Sequence, residues 1–227
     1  MSKVSAVILS AGKGTRMKSD ICKQYICVEG YPVLYYTLRA FEGSNVERII
    51  VVAGEDDIDY VKDDIVEKYH FSKVQNIVKG GKERYDSVIN GLEELDNTDI
   101  VLIHDGARPL ISTKDINSII EAMNQYRACV AAMPVKDTIK ISDDEGYVNH
   151  TPLRKYVWQI QTPQAFKVED IKRAYELMRI NDDHTITDDS MVVEKYTDIK
   201  VKLIETSYSN IKITTPEDLI FMQKSIE

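Results

Sequence analysis

The stretch Val4-Ser5-Ala6-Val7-Ile8-Leu9-Ser10-Ala11-Gly12-Lys13-Gly14-Thr15-Arg16-Met17 decides the fold. Val4–Leu9 is a short apolar, β-branched run that ends in a glycine loop, the pattern of a buried strand. Glycine lets the backbone turn tightly and come close to a ligand. Successive N–H groups near a helix start can hold an anion, and Lys13 and Arg16 add positive charge. The dinucleotide fingerprint is not met, because Met17 stands where its third glycine belongs. No G-K-[S/T] closes a P-loop either. Read alone, Gly12-Lys13-Gly14 fits a plain tight turn as well as a phosphate loop.

Outward from this stretch, strands and helices alternate. Arg48–Ala53, Val74–Val78, Ile100–His104 and Cys129–Met133 read as further strands. Helical spacing joins Leu34, Leu38 and Phe41 within Pro32–Phe41, then Ile58, Val61 and Ile65, then Val88, Leu92 and Leu95, then Ile116, Ile119, Ile120 and Met123. Such alternation predicts a Rossmann-like α/β fold: an open, mostly parallel sheet with helices on both faces. No Pro/Gly/Ser-rich linker divides the chain, so one domain over 1–227 is expected. The alternation breaks at Pro134. Lys136–Ile141 alternates, Asp143-Asp144-Glu145-Gly146 is a turn, and Tyr147–His150 can pair back. Residues 136–150 therefore read as an inserted β-hairpin arm, either packed on a partner subunit or lying at an edge of its own. Val168, Ile171, Tyr175 and Met178 mark a later helix. Thr215, Pro216 and Asp218 supply an N-cap, a first helical position and a capping-box acid for the last one.

Composition narrows the function. The chain has 227 residues, 43% hydrophobic and 29% charged, with a net charge of −8. That balance is globular, and the acidity disfavours general nucleic-acid binding. An anionic ligand must then be caught by a local basic cluster. Three cysteines (Cys22, Cys27, Cys129) form no C-x-x-C pair, which fits a reducing cytoplasm and no zinc site. No apolar run approaches the roughly 18 residues of a membrane span.

Four further groups are candidates. Lys23 follows the glycine loop and could fold back over a bound triphosphate, although lysines are usually solvated. In His104-Asp105-Gly106-Ala107-Arg108-Pro109, Asp105 lies just past a strand's C-terminal end, where open α/β sheets bind ligands. One carboxylate plus phosphate oxygens is a normal Mg²⁺ site, and a turn aspartate is the alternative. Arg108 could clamp phosphate or pair with an acid, and His104 reads as a packed strand-end histidine. Gly80-Gly81-Lys82-Glu83-Arg84-Tyr85-Asp86-Ser87 could read a base or ribose, or could be a strand–helix turn. Basic side chains from a last group, Thr138 and Lys140 on the arm, Arg154, Thr162-Pro163-Gln164 and Lys212, could converge on a second phosphate; singly, each reads as a surface charge.

Taken in order, eight fragments carry a resemblance over almost the whole chain. They are Ala11-Gly12-x-Gly14-x-Arg16-Met17, Lys23-Gln24-Tyr25, Gly80-Gly81-x-Glu83-Arg84-x-x-Ser87-Val88, His104-Asp105-x-Ala107-Arg108-Pro109, Pro134-Val135-x-Asp137-Thr138, Gln161-Thr162-Pro163-Gln164-x-Phe166, Thr187-Asp188-Asp189, and Asn210-Ile211-Lys212-x-Thr214-x-Pro216-Glu217-Asp218-Leu219. Together they resemble the 2-C-methyl-D-erythritol 4-phosphate cytidylyltransferase family of the isoprenoid pathway. The resemblance implies that CMP passes from CTP to a sugar-alcohol phosphate and pyrophosphate is released. It implies that the loop with Ser10, Ala11, Gly12 and Gly14 wraps the triphosphate. Arg16 and Lys23 match the residues that stabilise charge on the α-phosphate, and Asp105 matches the Mg²⁺ ligand. Gly81, Lys82, Ser87 and Gly106 fall where cytosine and ribose bind. Arg154 and Lys212 match the residues that position the acceptor, with Thr138 and Arg108 nearby. It also implies a homodimer whose arm helps complete the neighbour's site.

Three positions depart from the family pattern. Cys22 replaces a proline before the loop lysine, Gly106 replaces an alanine, and Leu153 replaces a common acid before Arg154. An enzyme of the same fold acting on ribitol 5-phosphate is the near alternative, but its third motif tends to read His-Asp-Ser-Val-Arg-Pro, whereas Gly106-Ala107 stands closer to the methylerythritol version. A non-catalytic nucleotide-binding regulator is the alternative of another class, and intact Arg16, Lys23 and Asp105 speak against it.

Overall fold

The computed structural model describes residues 2–12 and 22–226. Strand β1 (Val4–Ser10) is followed by a two-strand ribbon, β2 (Cys27–Val28) and β3 (Tyr31–Pro32), and by helix α1 (Val33–Glu42). Next come β4 (Arg48–Ala53), α2 (Ile58–Tyr60) with a π-helical continuation Val61–Glu67, and β5 (Val74–Lys79). Then α3 (Arg84–Glu93), β6 (Ile100–Asp105), α4 (Thr113–Ala122) and β7 (Ala128–Pro134) complete the alternation. A hairpin, β8 (Ile141–Ser142) with β9 (Val148–His150), precedes the long strand β10 (Trp158–Lys167). The chain ends with α5 (Val168–Ile180), α6 (Asp189–Tyr196), β11 (Val201–Glu205) and α7 (Pro216–Ile226).

Seven strands form one sheet in the order β11-β7-β10-β6-β1-β4-β5. β10 runs antiparallel to both its neighbours, and the other pairs are parallel. The expected mostly parallel sheet is therefore present. Alternate residues of each central strand feed opposite faces, as the period of two requires. Ala6 and Ile8 of β1 pack with Leu34, Leu38 and Phe41 of α1 and Ile116 of α4. Val7, on the other face, packs with Val88 and Leu92 of α3 and Ile171 and Tyr175 of α5. From β1 the sheet grows outward through β4 and β5, then resumes at β6 on β1's opposite flank. That reversal makes a crevice at the C-terminal ends of β1 and β6, the switch point where such sheets bind ligands. Leu9 and Asp105 are register partners there.

Four elements escaped the sequence reading. β10 hid because Pro163 argues against a central strand; the structure accommodates it where the register to β7 shifts between Ile160 and Gln164. β11 and α6 lack the long apolar periodicity of the others, and the two-residue strands of the ribbon turn on Gly30, whose φ of +82° suits glycine. A hairpin is present within 136–150 but is shorter than expected: only Ile141–Ser142 and Val148–His150 pair, both exposed, and 136–140 is not in a strand. At α7, the Asp218 carboxylate accepts from the backbone N–H groups of Thr214 and Thr215, both at 2.8 Å, as the capping signals predict.

Gly91 of α3 marks the tightest helix–sheet approach, since a Cβ there would lie 2.5 Å from Val7 Cγ1 and 3.1 Å from Val52 Cγ2. Both neighbours are stiff β-branched side chains. Gly91→Ala would gain about 1 kcal/mol of helix propensity, but overpacking costs about 1–3 kcal/mol. Urea unfolding is expected to show net destabilisation.

Candidate active site

Asp105 closes β6 and is 8% exposed. Three cations surround it, each from a different part of the chain. Lys212 Nζ donates to Oδ2 at 2.7 Å, Arg84 Nε stands 3.4 Å from Oδ1, and Arg108 Nε stands 3.9 Å from Oδ2. Arg84, Lys212 and Arg108 hold the Asp105 carboxyl far below the usual range against the opposing pull of burial. Asp105 is therefore an ionised carboxylate facing a cleft of about 510 Å³, lined also by Arg84, Arg108, Thr162, Gln164, Asp188 and Lys212.

Each cation is set by local structure. Arg84 occupies the first turn of α3, where Glu83 and Asp86 form a reciprocal capping box. A cation at a helix N-terminus opposes the helix dipole, so its reason lies elsewhere. That reason is Asp189, fully buried at the start of α6, which takes the guanidinium as a fork at 2.9 and 2.8 Å. Tyr175 Oη donates to the same carboxylate at 2.5 Å. Arg108 donates through Nη1 to the Asn210 carbonyl at 2.8 Å, while its buried Nε has no hydrogen-bond partner among the described residues. Lys212 sits on the segment between β11 and α7. Asn210 Nδ2 holds that segment to Gln161 Oε1 and the Thr162 carbonyl, both at 2.9 Å, and Ile213 N donates to the Ala107 carbonyl.

Behind Asp105 lies a neutral layer. Thr162 Oγ1 accepts from the Asp105 N–H at 3.1 Å and meets His104 Nδ1 at 3.0 Å, while His104 Nε2 meets the Arg108 carbonyl at 3.3 Å. Burial is the main force lowering the His104 pKa to about 3, with Arg108 adding to it and Asp105 opposing it. The packed, neutral histidine expected from the sequence is what the fold contains.

The nucleotide-side candidates converge on the same crevice. Gln24 Nε2 donates to the carbonyls of Ser10 at 2.7 Å and Gly12 at 3.0 Å, tying the start of the glycine loop to the Lys23–Tyr25 turn. Gly80 abuts this loop so closely that a Cβ would fall 2.3 Å from Ala11 Cβ. Ser87 Oγ accepts from the Gly81 N–H at 3.0 Å and fixes the glycine pair to α3. Gly106 N donates to the Leu9 carbonyl at 2.8 Å, joining β6's loop to β1. Lys82 is exposed beside this group. Gly14 and Arg16 lie outside the described residues. Thr138 and Arg154 are exposed and do not line the cleft; Arg154 Nη1 donates instead to the Lys136 carbonyl at 3.0 Å.

Arg84, Gln24 and Asp189 are the residues to which the sequence reading assigned no role. All three stand inside motifs quoted above, and Arg84's unfavourable helix position was a readable signal. Asp189's partnership with it spans 105 residues and was not readable.

The start of the glycine loop, a glycine pair and a carboxylate ringed by cations meet at the switch point of a mostly parallel sheet, where α/β proteins bind nucleotides and other ligands. The sequence model of the family described as IspD, 2-C-methyl-D-erythritol 4-phosphate cytidylyltransferase, matches residues 4–227. A protein of that name from Lachnoclostridium phytofermentans is 49% identical over 98% of this chain and 96% of its own length. Another from Lachnospira eligens is 50% identical over 95% of each. The solved 4-diphosphocytidyl-2C-methyl-D-erythritol synthase of Anaerococcus prevotii superposes with a TM-score of 0.88 at 40% identity, covering 99% of this chain and 96% of that one. The chain belongs to the 2-C-methyl-D-erythritol 4-phosphate cytidylyltransferase family, whose reaction joins CMP from CTP to that acceptor in the non-mevalonate route to isoprenoid precursors.

The His104 shift has a stability consequence. Its folded pKa lies below the unfolded value, so the unfolded chain binds the proton first as pH falls. Stability is then full above about pH 6.5 and declines toward the folded pKa of about 3. Urea unfolding from pH 6 to 4 should show wild type losing about 1.4 kcal/mol per pH unit more than His104→Gln.

Proposed function

We propose that the cleft at Asp105 performs the cytidylyl transfer as an in-line displacement, with Arg16 and Lys23 as catalytic residues and Mg²⁺ as cofactor. A phosphate oxygen of the acceptor attacks the α-phosphorus of CTP, the α–β bridging bond breaks, and pyrophosphate leaves with the electron pair. No general base is needed, because the nucleophile is already an anionic phosphate. Catalysis then rests on alignment and on neutralising charge.

The observation that carries this reading is the ionised Asp105 at the switch point, buried yet facing the cleft. Among the described residues no group of three or more His, Cys, Asp or Glu side chains gathers to hold a metal. One carboxylate suits a cation whose remaining ligands come from nucleotide phosphates and water. Asp105 would hold Mg²⁺, which when bound would supply charge neutralisation for the triphosphate and its leaving group. The chain's own groups do the rest. The Ser10–Gly12 backbone starts the triphosphate cradle, Gly81, Lys82, Ser87 and Gly106 border the base and ribose, and Arg108 and Lys212 face the acceptor phosphate.

Thr138 and Arg154 act, on this proposal, across a homodimer. The exposed apolar side chains Ile141, Tyr147, Val148, Leu153 and Tyr156 on and beside the arm support it, since several large apolar side chains left in water along one segment suit a partner surface. A dimer is expected in sedimentation equilibrium, and Tyr147→Asp with Val148→Asp should shift the mass toward the monomer. The cytoplasm is the proposed compartment, on the cysteine usage; no described helix is long and apolar enough to cross a membrane. The acidic chain is proposed to bind no nucleic acid.

Pyrophosphate release tests the reaction itself. CTP with methylerythritol phosphate should support turnover, and ribitol 5-phosphate should not; turnover on ribitol phosphate alone would overturn the acceptor. Lys23→Ala should lower kcat by about 10²–10³, on the scale of one lost transition-state donor, with a much smaller change in CTP affinity.

A further inference from the structure

Of the three cations around Asp105, two are committed elsewhere. Arg84 spends its fork on the buried Asp189, and Arg108 donates to the Asn210 carbonyl. Lys212 differs. Its ammonium makes the shortest contact to Asp105, 2.7 Å to Oδ2, and its side chain is still 34% exposed. The backbone that carries it is pinned on both sides, at Asn210 and at Ile213, so a change of side-chain rotamer alone moves the charge. Lysine suits such a movement, being a compact charge on a flexible stem rather than a preorganised fork.

The geometry points to Lys212 as an internal placeholder for the divalent cation: its ammonium occupies Asp105 Oδ2 in the resting protein and must leave that oxygen before a metal can take it. This rests on the reading of Asp105 as the metal ligand. Two unlike functions of one lysine then follow from one side chain. Seated on Asp105, it neutralises a buried carboxylate that would otherwise stand with only two longer contacts, at 3.4 and 3.9 Å. Released, it is a free ammonium at the mouth of the same cleft, available to an incoming phosphate.

Charge gives the direction of the effect. Replacing a monovalent ammonium by a divalent ion beside two fixed guanidinium groups raises the positive charge of the cluster. The nearby Asp188 keeps its negative charge, but its oxygens already accept from Met191 N, Ser190 Oγ and Gln164 Nε2, so it offers the incoming ion no ready ligand. The exchange is therefore unfavourable alone and becomes favourable when a nucleotide brings its own negative charge. Lys212 thus keeps metal binding low until nucleotide arrives.

The test is a titration of the nucleotide-free protein with Mn²⁺ alone, followed by the electron paramagnetic resonance signal of free Mn²⁺. Lys212→Met keeps the stem and removes the charge, and the partial exposure of the side chain makes the change tolerable. It should tighten Mn²⁺ binding by about tenfold, the equivalent of one charge-assisted contact removed from competition. Asp105→Asn should abolish the site. Loss in Asp105→Asn with unchanged or weaker binding in Lys212→Met would overturn the placeholder role while leaving Asp105 as the ligand. Undiminished Mn²⁺ binding in Asp105→Asn would overturn the metal reading beneath it.

Discussion

One buried carboxylate sets the terms for this structure. Asp105 ends the central strand β6 with little access to water, and a charge so placed is costly unless it is paired with good geometry. The pairing comes from α3, from the loop after β6 and from the segment before α7. These elements are far apart in the chain, so the sheet order, the α3 approach and the course of the C-terminal segment must all agree at one point. Arg84 extends the demand, because its fork needs Asp189 and thus the α5–α6 corner, where Tyr175 completes the pair.

The antiparallel strand β10 earns its place in this scheme. Inserted between β6 and β7, it brings Thr162 against the Asp105 N–H and His104, and Gln161 and Thr162 against Asn210. Those neutral groups pair with the Asp105 N–H, His104 Nδ1 and Asn210 Nδ2 behind the charge cluster without adding charge of their own. Gln164 then reaches the other way, accepting from Ser190 N and donating to Asp188, which seats the start of α6 and with it Asp189. A single strand therefore braces both Asp105 and the acid that fixes Arg84.

The two halves of the crevice are built on different logic. Along the glycine-lined side, close backbone contact governs: Gly80 against Ala11, Gly81 under Asp86, Gly106 against the Leu9 carbonyl. Any Cβ at the first two would collide, so glycine there follows from packing density rather than from a turn type. Around Asp105, long charged side chains govern instead.

What the sequence determined by itself was the local grammar. Alternating β-branched runs and helical periodicity were enough for five of the sheet's strands, the α/β class and the position of Asp105 at a strand's C-terminal end, because burial on both faces imposes those patterns directly on neighbouring residues. The capping signals at Thr215, Pro216 and Asp218 were readable for the same reason. Tertiary structure alone decided the antiparallel β10, whose Pro163 reads against a strand until a register shift accommodates it. It alone decided that Arg84, Arg108 and Lys212 share one carboxylate and that Asp189 holds Arg84 from behind. Such contacts join residues as many as 107 positions apart, and neither propensity nor periodicity carries information over that distance.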